Sequence, residues 1–217
     1  MIRFIAAILL LPWVAGFAVQ LLALAKSIYA EPTPLAPFGV GVGLYALVWA
    51  LFIRKRGRGV WGTFEHELTH AVFCVLLFKK VRSFHADSDP DHRGFLGYVA
   101  HEEASGFRGV LITLAPYFFP TFTAFLLLIR LLVADEFLRY FDLVLGASFS
   151  YHLISNWQEF GFHQSDIKSQ TKFFSVVFII LANIIIIPLV LLMVHQGGEA
   201  VLPYLKDGFL WPYHVLR

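Results

Sequence analysis

Two imidazoles and a carboxylate stand close together in the stretch FEHELTH: His66, Glu67 and His70. On a helix, positions i and i+4 share a face, so both rings can grip one metal ion. Zinc suits such a pair. It lowers the pKa of a coordinated water and can polarise a carbonyl, while Glu67 can reach that water as a general base. The competing reading is plain packing, because the same five-residue pattern arises by chance. Its surroundings argue for more. Three ionisable groups in an apolar helix are expensive and need a functional or pairing explanation.

A catalytic zinc usually has three protein ligands and one open position. The residues that could complete the set are His152, Glu159, His163 and Asp166, and spacing alone does not choose among them. His152 lies in a segment with Ser148, Ser150, Ser155, Asn156 and Gln158, where a hydrogen bond within the bundle is the plain alternative. His163 can ligate, or can hydrogen-bond a ligand from behind. Glu65 points to another helix face than Glu67 and reads as support for the helix start or as the partner of a basic neighbour. The acidic run at 87–92, DSDPDH, reads as a solvated loop, since it lacks the convergent oxygens of a calcium site.

The elements that must hold these residues are apolar. Of 217 residues, 58% are hydrophobic and 15% charged, against about 25% charged in soluble domains. Apolar segments at 2–25, 38–53, 60–78, 110–133, 141–160 and 173–194 predict an all-α polytopic membrane protein. It has about six transmembrane helices and a tail with Tyr204, Trp211 and Tyr213 at headgroup depth. The first segment reads as an uncleaved helix. Lys and Arg at 54–58 mark the cytoplasmic side, although with six crossings the remaining positive charges divide almost evenly. Glycines in the second segment permit close helix contact. Pro116 and Pro120 kink the fourth. Two alternating pieces, VRSFHA and GFLGYVAH, predict a small β-hairpin. Cys74 is the one cysteine, which excludes an intrachain disulfide and a Cys-rich metal cluster. The formal charge of +2 gives no reason to expect nucleic acid.

With HELTH, GFLGYVAH, LAPYFFP (114–120) and YHLISNWQEFGFHQSDI (151–167) in this order, the chain resembles the site-2 protease type of intramembrane zinc metalloprotease (M50-type), in a divergent bacterial branch. The resemblance spans 64–172. It implies one Zn2+ per chain, held by His66, His70 and Asp166, with Glu67 as catalytic base. His152 and Asn156 then become candidates for the substrate carbonyl or oxyanion, and His163 or His152 the alternative ligand. The Asn-Pro pair and Asp-Gly of that family's third motif are missing here. The implied activity is zinc-dependent intramembrane endopeptidase cleavage of membrane-spanning or membrane-proximal peptides. The implied setting is the bacterial inner membrane, with the bilayer and a membrane protein or peptide as partners, an accessory membrane protein left open. The implied organisation is a single membrane domain, with an N-terminal helix pair (1–59), a catalytic core (60–172) and a C-terminal helix with its tail (173–217). The edge at 95–100 can hold unwound substrate by strand addition. Competing functions are a non-proteolytic zinc-binding membrane protein and a small ion or proton transporter, although no inverted repeat is visible. One constraint follows from depth. His66 lies near one end of its helix, so the chain around Asp166 must be partly unwound and must return to that end.

Overall fold

The computed structural model describes residues 1–54, 60–89, 94–162 and 164–215. His163, most of the basic cluster at 54–58 and the turn of the 87–92 loop lie outside the described residues. The class is all-α. Helix α1 spans Ile2–Ala30, and α2 spans Ala36–Val48 and runs on into a π-helical turn, Trp49–Ile53. The prolines at 32, 34 and 37 separate them, since proline lacks the N–H that a helix interior needs but fits a first turn. Helix α3 spans Val60–Leu76 and carries both histidines of the motif. It stops at Phe78, whose left-handed backbone (φ 58°) lets the Lys79 N–H reach the Cys74 carbonyl at 2.7 Å. That is a Schellman-type end, at a position that usually takes glycine.

Strands β1 (Val81–Asp89) and β2 (Gly94–His101) pair antiparallel, with Phe84 opposite Val99 and Ala86 opposite Gly97. Helix α4 (Gly106–Leu114) leads through a 3-10 turn, Ala115–Tyr117, into α5 (Thr121–Arg130) at a bend of 86°. Then come α6 (Asp135–Glu159), the five-residue α7 (Ser165–Ser169), α8 (Lys172–His195) and α9 (Val201–Val215).

The expectation of six crossings is corrected. Among the described residues, three helical stretches are long and apolar enough to cross a membrane: Ile2–Ala30, Thr33–Ile53 and Lys172–His195. The number rises to four if the bent α4–α5 pair is one span. Helix α3 fails because it has only 17 residues, four of them Glu65, His66, Glu67 and His70. Helix α6 is not among them because charged residues at its start and His152, Asn156 and Gln158 towards its end lower its hydropathy. The multi-pass inner-membrane placement, the bilayer partner and the membrane-embedded substrate all rested on six crossings and are corrected with them. The rest of the chain is a helical bundle held by long-range packing. Arg130 and the buried Asp142 form a two-pronged ion pair within it, Nε to Oδ1 at 2.6 Å and Nη2 to Oδ2 at 3.1 Å.

The bundle has two main seams. Helix α1 packs on α8 and α9, and α2 packs along α6. The α2–α6 crossing is close because glycines face backbone on both sides. A Cβ built on Gly41 would overlap the Leu143 carbonyl, and one on Gly146 would overlap the Phe38 carbonyl. Gly43, two residues on from Gly41 and so on the opposite side of the helix, has open space around it. This seam sets the position of α6, and through α6 the position of Glu159 beside the motif. Gly41→Val and Gly146→Val should therefore each cost about 1–3 kcal/mol or more through overpacking. Gly43→Ala should be neutral or mildly stabilising. Denaturation of the three variants beside the parent protein measures the difference.

Candidate metal centre

Helix α3 delivers His66 and His70 to one face, with ring centroids 4.9 Å apart. Asp166 reaches the same point from α7. Its Oδ2 stands 3.4 Å from His66 Nε2 and 3.6 Å from His70 Nε2. These spacings fit a tetrahedral ion, since ligand atoms about 2.0–2.1 Å from zinc stand roughly 3.3–3.4 Å apart. His66, His70 and Asp166 thus form an arrangement capable of coordinating a metal ion, with one ligand atom from each within 4.8 Å of the others.

The far side of each ring fixes its tautomer. His70 Nδ1–H donates to the Ile112 carbonyl at 2.7 Å. His66 Nδ1–H donates to the Glu159 carboxylate at 2.8 Å. Both neutral imidazoles then present an unprotonated Nε2 toward Asp166. Carboxylates and carbonyls behind metal-bound histidines do this routinely. Three acceptors converge, with the Tyr117 hydroxyl donating to Asp166 Oδ2 at 3.3 Å. A dication or added protons must balance them.

Charge repeats the point. Glu65, Glu67, Glu159 and Asp166 all act on one another or on the histidines, and among the described residues no Lys or Arg belongs to the groups that shift Glu65, His66, Glu67 and Asp166. Burial works to lower the His66 pKa, but hydrogen bonds to Asp166 and Glu159 outweigh it and raise it to about 10. Burial works to raise Asp166, yet its hydrogen bonds with His66 and His70 hold it well below the usual carboxylate range. The carboxylates around His66 therefore favour positive charge at the centre of the cluster.

Glu67 lies beside the triad in a cavity of 290 Å³, closed on one side by β2. Burial raises its carboxyl pKa, opposed by His70 and His66. Gly97 of β2 makes room for it, because a Cβ there would come within 2.5 Å of Glu67 Cγ and 2.8 Å of its Oε1. Tyr98, His101, Gln164 and Ser165 make the cavity wall largely polar.

Helix α7 is too short to hold itself, since isolated helices need roughly 12–15 residues to be even marginal. Ile167, next to the ligand, is fully buried in the core with Val110, Leu114 and Phe174. Ser175 Oγ donates to the Ile167 carbonyl at 3.1 Å, and Arg3 donates to the Ser169 carbonyl. The chain leaves α6 at an extended Phe160 and turns back through Gly161 and Gln164, which brings Asp166 to the motif.

His152 and Asn156 take other places. His152 is buried, its Nδ1 3.8 Å from Glu65 Oε1 and its Nε2 without a hydrogen-bond partner among the described residues. Asn156 Nδ2 donates to the Tyr117 carbonyl at 2.7 Å. Glu65 has His152 as a basic neighbour and reaches a different helix start from its own. It accepts the Phe122 N–H at 3.3 Å, at the otherwise uncapped start of α5. Glu159, one of four third-ligand candidates, sits behind His66 instead. The Ile112 carbonyl and Tyr117 carried no signal in the sequence for their places here.

No protein-family model matches the chain, and no curated protein and no solved structure matches it. The expected membership of the site-2 protease type and the intramembrane zinc metalloprotease activity that it implied are corrected on the structure: the ligand-capable residues are a His/His/Asp cluster inside a helical bundle, and the described residues hold three candidate spans, or four with the bent pair, rather than six. The spacing of His66, Glu67 and His70 does not by itself define a protease. What is present is a His/His/Asp cluster assembled from α3 and α7 within a helical bundle.

His152 supplies a pH test. Burial lowers its pKa to about 4, below the ordinary value of about 6.5. Between these values the unfolded chain binds more protons than the folded one, so stability falls as pH drops from about 6.5 to 4, by up to ~1.4 kcal/mol per pH unit. His152→Leu should flatten that part of the stability–pH curve, read by denaturant titration at pH 7, 6 and 5.

Proposed function

We propose that the chain is a zinc-binding protein. His66 and His70 hold the ion through Nε2 and Asp166 through its carboxylate, with one coordination position left to the polar cavity. The observation that carries this reading is the pair of Nδ1–H hydrogen bonds, to Glu159 and to the Ile112 carbonyl. They leave two Nε2 lone pairs and a carboxylate oxygen facing a common point. Two nitrogens and one oxygen suit zinc, which takes imidazole and carboxylate ligands in tetrahedral sites.

Three protein ligands and an adjoining cavity favour a centre that acts on a bound ligand over one that only braces the fold. A bracing site needs a fourth protein ligand. Glu159, the other carboxylate on His66, has its Oε2 engaged by His66 Nδ1. A zinc ion held by these residues would supply Lewis acidity to an oxygen of a bound ligand. The chain's own contribution is Glu67. Its carboxylate, shielded by β2 at Gly97, is placed to take up and release a proton beside that position.

Metal analysis of the purified protein tests the assignment. The parent should hold about one zinc per chain, and His66→Ala and Asp166→Ala should lose it. Glu67→Gln and His152→Ala should retain it. Full zinc retention in Asp166→Ala, or its loss in His152→Ala, would refute the ligand set.

A further inference from the structure

Tyr117 touches the triad twice. Its hydroxyl donates to Asp166 Oδ2 at 3.3 Å, and its ring meets the His66 ring edge-on at 5.5 Å between centroids. It is almost fully buried, at 1% exposure. Its position is set from the opposite side. The Tyr117 carbonyl accepts Asn156 Nδ2 from α6 at 2.7 Å and Asn183 Nδ2 from α8 at 2.9 Å.

Both donations land where helical hydrogen bonding fails. The 3-10 turn Ala115–Tyr117 ends at Phe118, and Pro120 follows before α5 begins. Proline offers no N–H, so a carbonyl in this stretch is short of backbone donors. A buried carbonyl left unpaired costs about 1–3 kcal/mol. Two side-chain amides from two different helices therefore fix this turn, and with it the direction of the Tyr117 side chain. Asn183 is itself braced, since its Nδ2 also donates to the Ile179 carbonyl at 2.9 Å. An asparagine in the most apolar helix of the chain thus has a defined task.

We infer that Asn156 and Asn183 are positioning residues for the metal centre, acting through Tyr117 on Asp166 and His66. This rests on the zinc reading above. Helix α7 is short, and the ligand carboxylate needs an orienting donor. Tyr117 supplies that donor, and the two asparagines hold Tyr117 in place. Partners that orient metal ligands in this way typically change metal affinity about 10–100-fold when removed.

A double-mutant cycle tests this in the full chain, with Co2+ as the probe because it reports both affinity and ligand geometry through its visible spectrum. Tyr117→Phe should raise the Co2+ dissociation constant about tenfold and alter the spectrum. Asn156→Leu with Asn183→Leu should do the same. The two changes together should cost little more than either alone, since they act along one path. If the paired asparagine variant does not fold, each single variant beside Tyr117→Phe gives the same comparison. Two results would overturn the inference alone: unchanged Co2+ affinity and spectrum in the asparagine variants despite lower melting temperatures, or losses that multiply in full. Failure of the parent protein to bind Co2+ would overturn the metal reading, and this inference with it.

Discussion

Two imidazole nitrogens and a carboxylate oxygen, all acceptors, are made to face one point, and the molecule must put positive charge there. Like groups repel in a poorly solvated setting, so without a cation this arrangement would push itself apart. The bundle is built so that it does not. Each imidazole is locked from behind. The carboxylate is carried on a short helix pinned by the burial of Ile167. The Tyr117 hydroxyl approaches Asp166 from the side.

That constraint explains the shape of the middle of the chain. Helix α3 must lie next to α4 so that the Ile112 carbonyl can reach His70. It must also lie next to the end of α6 so that Glu159 can reach His66. The glycine crossing of α2 and α6 sets that end, and the break at Pro116–Pro120 turns Tyr117 inward. A second polar layer lies one face away: Glu65 on the start of α5, His152 beside it, and Thr69 and Thr121 hydroxyl to hydroxyl. It ties α3 to α5 and α6 and keeps the metal face of α3 oriented.

The local half of the centre was legible, because His66 and His70 are four residues apart on one helix and helical geometry is enough. The other half was not. Asp166 is 100 positions from His66, and composition left it equal to three other residues until the resemblance singled it out. Glu159 was seen as a ligand candidate, but its place behind His66 depends on the rotation of α6, which hydropathy does not report. Asn156 read as substrate-facing, and its amide is instead committed to a backbone carbonyl, a kind of partner that leaves no trace in sequence. The count of crossings failed for a related reason. Apolar content averaged over α3 and α6 hides their buried ionisable residues, Glu65 and Glu67 on α3 and Asp142 and His152 on α6, which lie inside the bundle.

X-ray absorption at the zinc edge of the metal-loaded protein tests the central claim most directly. The account predicts a four-coordinate ion with two imidazole nitrogens and two oxygens at about 2.0–2.2 Å, one oxygen exchangeable with an added ligand, and no sulfur. An ion held by four protein ligands with no exchangeable position would contradict it. So would a shell with one imidazole or none.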